Sequence, residues 1–165
     1  MDFSRMFRHI TSTRSRVRRY FPAPVLSAIK AAIGQSESRH SGEILFAVEA
    51  ALEPLQAAHG MTPRERALEV FSNLRLWDTE HNNGVLIYVL MADHAIEIIA
   101  DRGIDARVGE AGWRHIADAM QRAFAARDIE AGAVACIAAV SRELEAHFPS
   151  SASNANELAD DVRLL

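Results

Sequence analysis

The sequence predicts an α/β fold, a three-layer α/β/α sandwich built on a small mixed β-sheet. Three observations carry that prediction. The polar loop 77–84 runs into seven apolar or aromatic residues, Val85 to Met91, a stretch too short for a membrane helix and rich in strand formers. A strand with no polar alternation must be covered on both faces, so Gly84 to Met91 is read as central. A shorter apolar run, Glu43 to Val48, precedes it with a helical stretch between, and the crossover of such a unit makes the two strands parallel. Ala95 to Ala100 follows after only Ala92-Asp93-His94, the spacing of an antiparallel hairpin.

Taken in order, Phe3, Met6, Phe7, Ile10, Val17, Tyr20 and Phe21 recur at helical spacing among arginines, a basic amphipathic segment over residues 1–21. Thr11-Ser12-Thr13 interrupts its stripe. Two readings stay open for it: attachment to an anionic membrane surface, or a helix that packs on the domain or frays. Pro22 and Pro24 open a second helix carrying Val25, Leu26, Ile29 and Ile33. Residues 52–60 show no resolvable pattern. Thr62-Pro63-Arg64-Glu65 has the form of a capping box, and the helix after it buries Ala67, Val70, Phe71 and Leu74.

Two helices complete the domain, one with Trp113, Ile116, Ala117, Met120 and Phe124 on a face. The other, capped at Asp128, presents Val134, Ile137, Val140, Leu144 and Phe148. The domain spans 22–148, and residues 149–165 read as a disordered acidic tail.

At 165 residues and 49% hydrophobic content, the chain fits one globular domain. Its net charge of −4 is unevenly spread: residues 1–20 hold six arginines and one acid, while the other 145 residues hold 12 basic and 21 acidic side chains. An acidic body repels nucleic acid, leaving the basic arm as the part suited to an anionic surface. The N-terminus lacks a secretory pattern, so a cytoplasmic location, peripheral on the membrane if the arm binds lipid, is expected. Cys136, the single cysteine, sits among Ala135, Ile137 and Ala138 as a core residue.

The topology gathers the start of the first strand, the start of the second and the end of the third at one end of the sheet. That end collects Glu43, Asp78, Glu80, Asn82, Asn83, Asp101 and Asp105, with His40, His81 and Arg102 nearby. Carboxylate and carboxamide oxygens are hard ligands, suited to Ca2+ or Mg2+. Glu43, Asp78, Asp101 and Asp105 are the candidate metal ligands, and Asn82, Asn83 and Arg102 the candidate ligand-binding residues. No EF-hand spacing is present, so such a site would be assembled from separate loops; otherwise these residues cap turns or are solvated acids. Asp78 and Asp101 are also the candidates for attack on a phosphoryl group, although no phosphatase signature accompanies them. The seven histidines show no metal-binding pair, and Trp77 and Trp113 read as apolar anchors. Gly84 reads as structural, Asn82 and Asn83 as functional and replaceable without loss of stability.

The Trp77 and Asn82-Asn83-Gly84 loop entering an apolar strand resembles the TPM domain family. The Glu97-Ile98 to Asp101-Arg102-Gly103-Ile104 strand exit and the Arg127-Asp128-x-x-x-Gly132 helix opening share that resemblance, which covers residues 22–148. It implies an α/β/α fold, acid phosphatase activity as in the plant thylakoid lumen member, and calcium binding as in some bacterial members. The favoured expectation is a calcium-binding or adaptor module that engages an unidentified protein partner, with attachment at the membrane surface an open possibility. The alternative is a metal-assisted acid phosphatase acting on phosphate esters.

Overall fold

The computed structural model describes residues 3–150 and 162–165. Helices α1 (Phe3–Thr11), α2 (Arg14–Tyr20) and α3 (Ala23–Glu37) lead into β1 (Ile44–Glu49). Then come α4 (Pro54–Ala58), α5 (Pro63–Asn73), β2 (Val85–Leu90) and β3 (Ala95–Ala100). Helices α6 (Arg102–Ala125) and α7 (Ile129–His147) and the short β4 (Arg163–Leu164) complete the order.

The sheet runs β3-β2-β1-β4, with β1 parallel to β2 and to β4, and β2 antiparallel to β3. The parallel pair and the hairpin therefore form as the sequence predicts. Every residue of β1 and β2 is buried. Strand alternation divides them between two cores. Ile44, Phe46, Val48, Val85, Ile87 and Val89 join the cluster that includes Ile29 and Ile33 of α3, Trp113 of α6 and Ile137 of α7. Leu45, Ala47, Leu86, Tyr88 and Leu90 meet Ala67, Val70 and Phe71 of α5 in the other. Helices thus pack on both faces, and each fully buried large apolar side chain contributes roughly 1.5–3 kcal/mol.

Local signals set the helix ends. Thr62 accepts from the Glu65 amide at 3.2 Å while Glu65 accepts from the Thr62 amide at 2.7 Å, the reciprocal box that starts α5. The hydrogen bonds from Thr62 hold the Glu65 carboxyl below its ordinary pKa. Within 52–60, Glu53 and Gln56 form a second box that starts α4. Helix α6 is kinked at Gly109, where φ is 73°.

Three segments differ from the sequence expectation. The basic arm is two helices, divided at Ser12-Thr13, and its apolar stripe is shared out: Val17 and Phe21 enter the core, whereas Phe7 and Ile10 stay exposed. Trp77 is 51% exposed, not a core anchor, and its indole N–H donates to the Ser72 carbonyl at 3.3 Å. The tail is ordered at its end: Arg163 and Leu164 pair with Ala47 and Val48, because β1 otherwise leaves backbone groups on its outer edge. Residues 151–161 of that tail lie outside the described residues.

Candidate functional site

The register brings Glu43, Gly84 and Asp101 side by side. The Val85 amide donates to the Glu43 carbonyl and the Asp101 amide to the Gly84 carbonyl, each at 2.8 Å. Alternation places positions 43, 84 and 101 on the face of Leu45, Leu86 and Ile99. Gly84 is required here because the Leu76 carbonyl oxygen fills the space where its Cβ would stand. Glu43 and Asp101, both 8% exposed, flank it one strand away on either side.

The loop 77–83 is tied to this end by the first turn of α6. Asn82, at φ 53°, offers its carbonyl to the amides of Gly103 and Ile104 at 3.0 and 3.3 Å. Such a left-handed conformation is tolerated by asparagine better than by most residues. The approach is so close that a Cβ on Gly103 would lie 2.5 Å from the Asn82 oxygen and 2.7 Å from that of His81. Asp101 caps the same helix, its Oδ1 accepting from the Arg102 amide at 2.7 Å. The leading amides of α6 are therefore engaged by the protein's own oxygens.

Asp101 keeps one oxygen apart. Its Oδ2 is buried and accepts no hydrogen bond among the described residues. Asn83, 1% exposed, donates its backbone amide to the Thr79 hydroxyl oxygen at 3.1 Å and its carboxamide N–H to the Ser41 hydroxyl oxygen at 3.3 Å. Arg102 donates from Nε to the Asn82 carboxamide oxygen at 3.0 Å, so two of the predicted ligand-binding residues hold each other. Asp105 accepts from the Trp113 indole at 3.0 Å, and Asp78, Glu80 and His81 are exposed. Among the described residues, no group of three or more His, Cys, Asp or Glu side chains is gathered as a metal site. Any cation held here would therefore take carboxamide, backbone or water oxygens beside Asp101.

His40 borders this end, donating from Nδ1 to the Gly42 carbonyl at 2.9 Å. Burial lowers its pKa, outweighing that hydrogen bond. Asn82 and Asn83 prove structural as well as polar, one by its backbone and the other by burial. Of the two readings the sequence leaves open for them, ligand contact and turn capping, these bonds belong to the second.

Two further polar clusters were not anticipated. On the α5 face, the Tyr88 hydroxyl donates to Glu49 Oε2 at 2.6 Å, and Arg66 grips both Glu49 oxygens at 2.9–3.3 Å. Burial, then the bond to Glu49, pushes the Tyr88 pKa far up; the same carboxylate raises that of Arg66. The signals were a tyrosine inside an apolar strand and a glutamate ending another. At the opposite end of the sheet, Asp93 meets Arg5 at 2.7 Å and His9 at 3.1 Å. A cavity of about 300 Å³ also lies at that end, lined by Tyr20, Met91, His94, Phe124 and Arg127 among others. Cys136 is buried too, which pushes its thiol up to about 12 and disfavours the thiolate.

A mixed sheet with helices on both faces and an oxygen-rich end at loop 77–83 defines a small α/β domain. The chain belongs to the TPM domain family: the family model described as TPM domain matches residues 20–143. It is similar to the BA42 protein of the psychrophilic bacterium Bizionia argentinensis, known from an NMR structure. The two share 31% identity and a TM-score of 0.75, over 86% of this chain and 93% of that one. No curated protein matches the chain. Among the described residues, no helix is long and apolar enough to cross a membrane.

Proposed function

We propose that this TPM domain is a cation-responsive binding module that takes Ca2+ or Mg2+ at the end of the sheet formed by Glu43, Asn83 and Asp101. The observation that carries the reading is the buried Asp101 Oδ2 with no hydrogen-bond donor among the described residues. An ionised oxygen in that position costs free energy unless a charge or donor meets it. Glu43 and Asn83, at the same end of the sheet, carry carboxylate and carboxamide oxygens, which match a hard cation. Trp77, half exposed beside the same loop, is the apolar contact such a module would offer a protein partner.

This reading is favoured over phosphate-ester hydrolysis by the state of the α6 N-terminus. A phosphoryl group would use free amides there, but those of Arg102, Gly103 and Ile104 already donate to Asp101 and Asn82. A ligand bound only by the folded state raises the melting temperature. Millimolar calcium should therefore stabilise the wild type and not Asp101→Asn, which keeps the helix cap. An unchanged wild-type melt, or turnover of a phosphate ester abolished by Asp101→Asn, would contradict this reading.

A further inference from the structure

Helix α1 lies on the domain with its polarity reversed. Arg5 points inward, donating from Nη2 to Asp93 at 2.7 Å and to the Met61 carbonyl at 2.6 Å. Arg8 donates from Nε to the Ala92 carbonyl at 3.2 Å. His9, only 4% exposed, accepts from the Leu52 amide on Nδ1 at 3.0 Å and donates from Nε2 to Asp93 at 3.1 Å. With 3.6 residues per turn, positions 7 and 10 fall roughly 180° around the helix from positions 5, 8 and 9. Those two positions hold Phe7 and Ile10, 67% and 64% exposed, and Leu55 of the adjoining α4 is 71% exposed.

Single exposed apolar residues need no account, but here three large ones stand on two touching helices. Charge indicates what covers them. Exposed Arg14, Arg18 and Arg19 follow on α2, Glu53 stands at the start of α4, and the Asp93 side chain is 8% exposed and taken up by Arg5 and His9. The rest of the chain beyond residue 20 carries a strong acidic excess, so these arginines set this side apart as suited to an anionic surface.

We infer that the α1–α4 face is a docking surface for an anionic lipid bilayer. Phe7, Ile10 and Leu55 enter the interfacial layer, and the α2 arginines meet lipid phosphates. The Asp93 clamp holds α1 against the domain, so the whole fold is brought to the surface in one orientation. This inference is independent of the cation reading.

The test is co-sedimentation of the full chain with vesicles of phosphatidylcholine, alone or mixed with phosphatidylglycerol. Wild type should bind the mixed vesicles, release with added salt, and leave the neutral ones unbound. Arg14→Gln/Arg18→Gln/Arg19→Gln should weaken binding by up to roughly fivefold for each arginine removed. Phe7→Ser/Ile10→Ser should weaken it while leaving the circular dichroism and melt unchanged, since both side chains face solvent. No binding to the mixed vesicles, or equal binding by wild type and both variants, overturns the inference. So does a wild-type dimer that Phe7→Ser/Ile10→Ser converts to monomer without any vesicle binding, which would make the patch a contact between copies.

Discussion

The Leu76 carbonyl oxygen and Gly84 are in direct backbone contact, with no room between them for a Cβ. That contact closes loop 77–83 onto the first residue before β2, beside Glu43 and Asp101. Because the obstacle is backbone, it cannot turn away as a side chain would. Gly84→Ala should cost about 2–4 kcal/mol, at or above the usual range for overpacking, read by urea unfolding. A variant as stable as wild type would show that the loop can move freely.

The two asparagines should separate by mechanism. Asn82 holds a left-handed backbone, so Asn82→Gly should be tolerated while Asn82→Ala costs about 1–2 kcal/mol. Asn83 is buried and hydrogen-bonded to Ser41, so Asn83→Ala should cost about 1–3 kcal/mol through the group left unpaired. Thermal melts of the three variants give the order.

Removing Arg66 leaves Glu49 buried with only Tyr88 as partner. Arg66→Met should therefore destabilise by about 3–5 kcal/mol, and Tyr88→Phe by about 1 kcal/mol, in denaturant titrations. The Tyr88 pKa is raised on folding, so its contribution is fully present below the ordinary tyrosine value near 10 and is lost as pH rises above it. Between pH 9 and about 11, Tyr88→Phe should lose stability less steeply than wild type.

For Asp93, burial alone would raise the pKa, but the Arg5 hydrogen bonds and His9 outweigh it and hold the carboxyl low. A depressed carboxyl contributes stability above its unfolded value of about 3.9, and that contribution is lost as pH falls through the lower folded value. Acidification below about pH 4 should thus undock α1. Asp93→Asn should loosen it at neutral pH, seen as faster amide exchange over residues 5–11 with the β1–β2 core still protected. Unchanged exchange would remove Asp93 as the clamp.

Strand β4 adds backbone bonds to the outer edge of β1, including the Leu165 amide to the Val48 carbonyl at 2.9 Å, and Leu165 packs on the α5-side core. Deleting residues 162–165 should lower stability by about 1–3 kcal/mol and increase concentration-dependent aggregation, measured by light scattering.

Much of this fold was legible because periodicity reports burial directly. The unbroken apolar run after Gly84 required cover on both faces, and the Thr62–Glu65 box marked the start of α5 to the residue. The oxygen-rich end was legible from topology alone, since parallel β1 and β2 and a returning β3 bring positions 43, 84 and 101 together. Which side chains were already engaged was not. Asp105 finds the Trp113 indole and Arg102 finds Asn82 through helix geometry that no linear spacing records. For helix α1 the two readings stayed open for a related reason: its apolar residues repeat like a core-facing stripe, yet Asp93, 84 residues from His9, turns the opposite face inward. Two-residue β4 carries too little pattern to be seen before the edge it covers is known.

Asp101 is proposed to complete a site for a hard cation at this end of the sheet. Calorimetric titration of the full chain with calcium, then magnesium, against wild type and Asp101→Asn tests it most directly. Wild type should show saturable binding that is lost or weakened at least tenfold in a folded Asp101→Asn, about 1.4 kcal/mol or more. Absence of heat with wild type in a folded sample, or identical isotherms for both proteins, would contradict it.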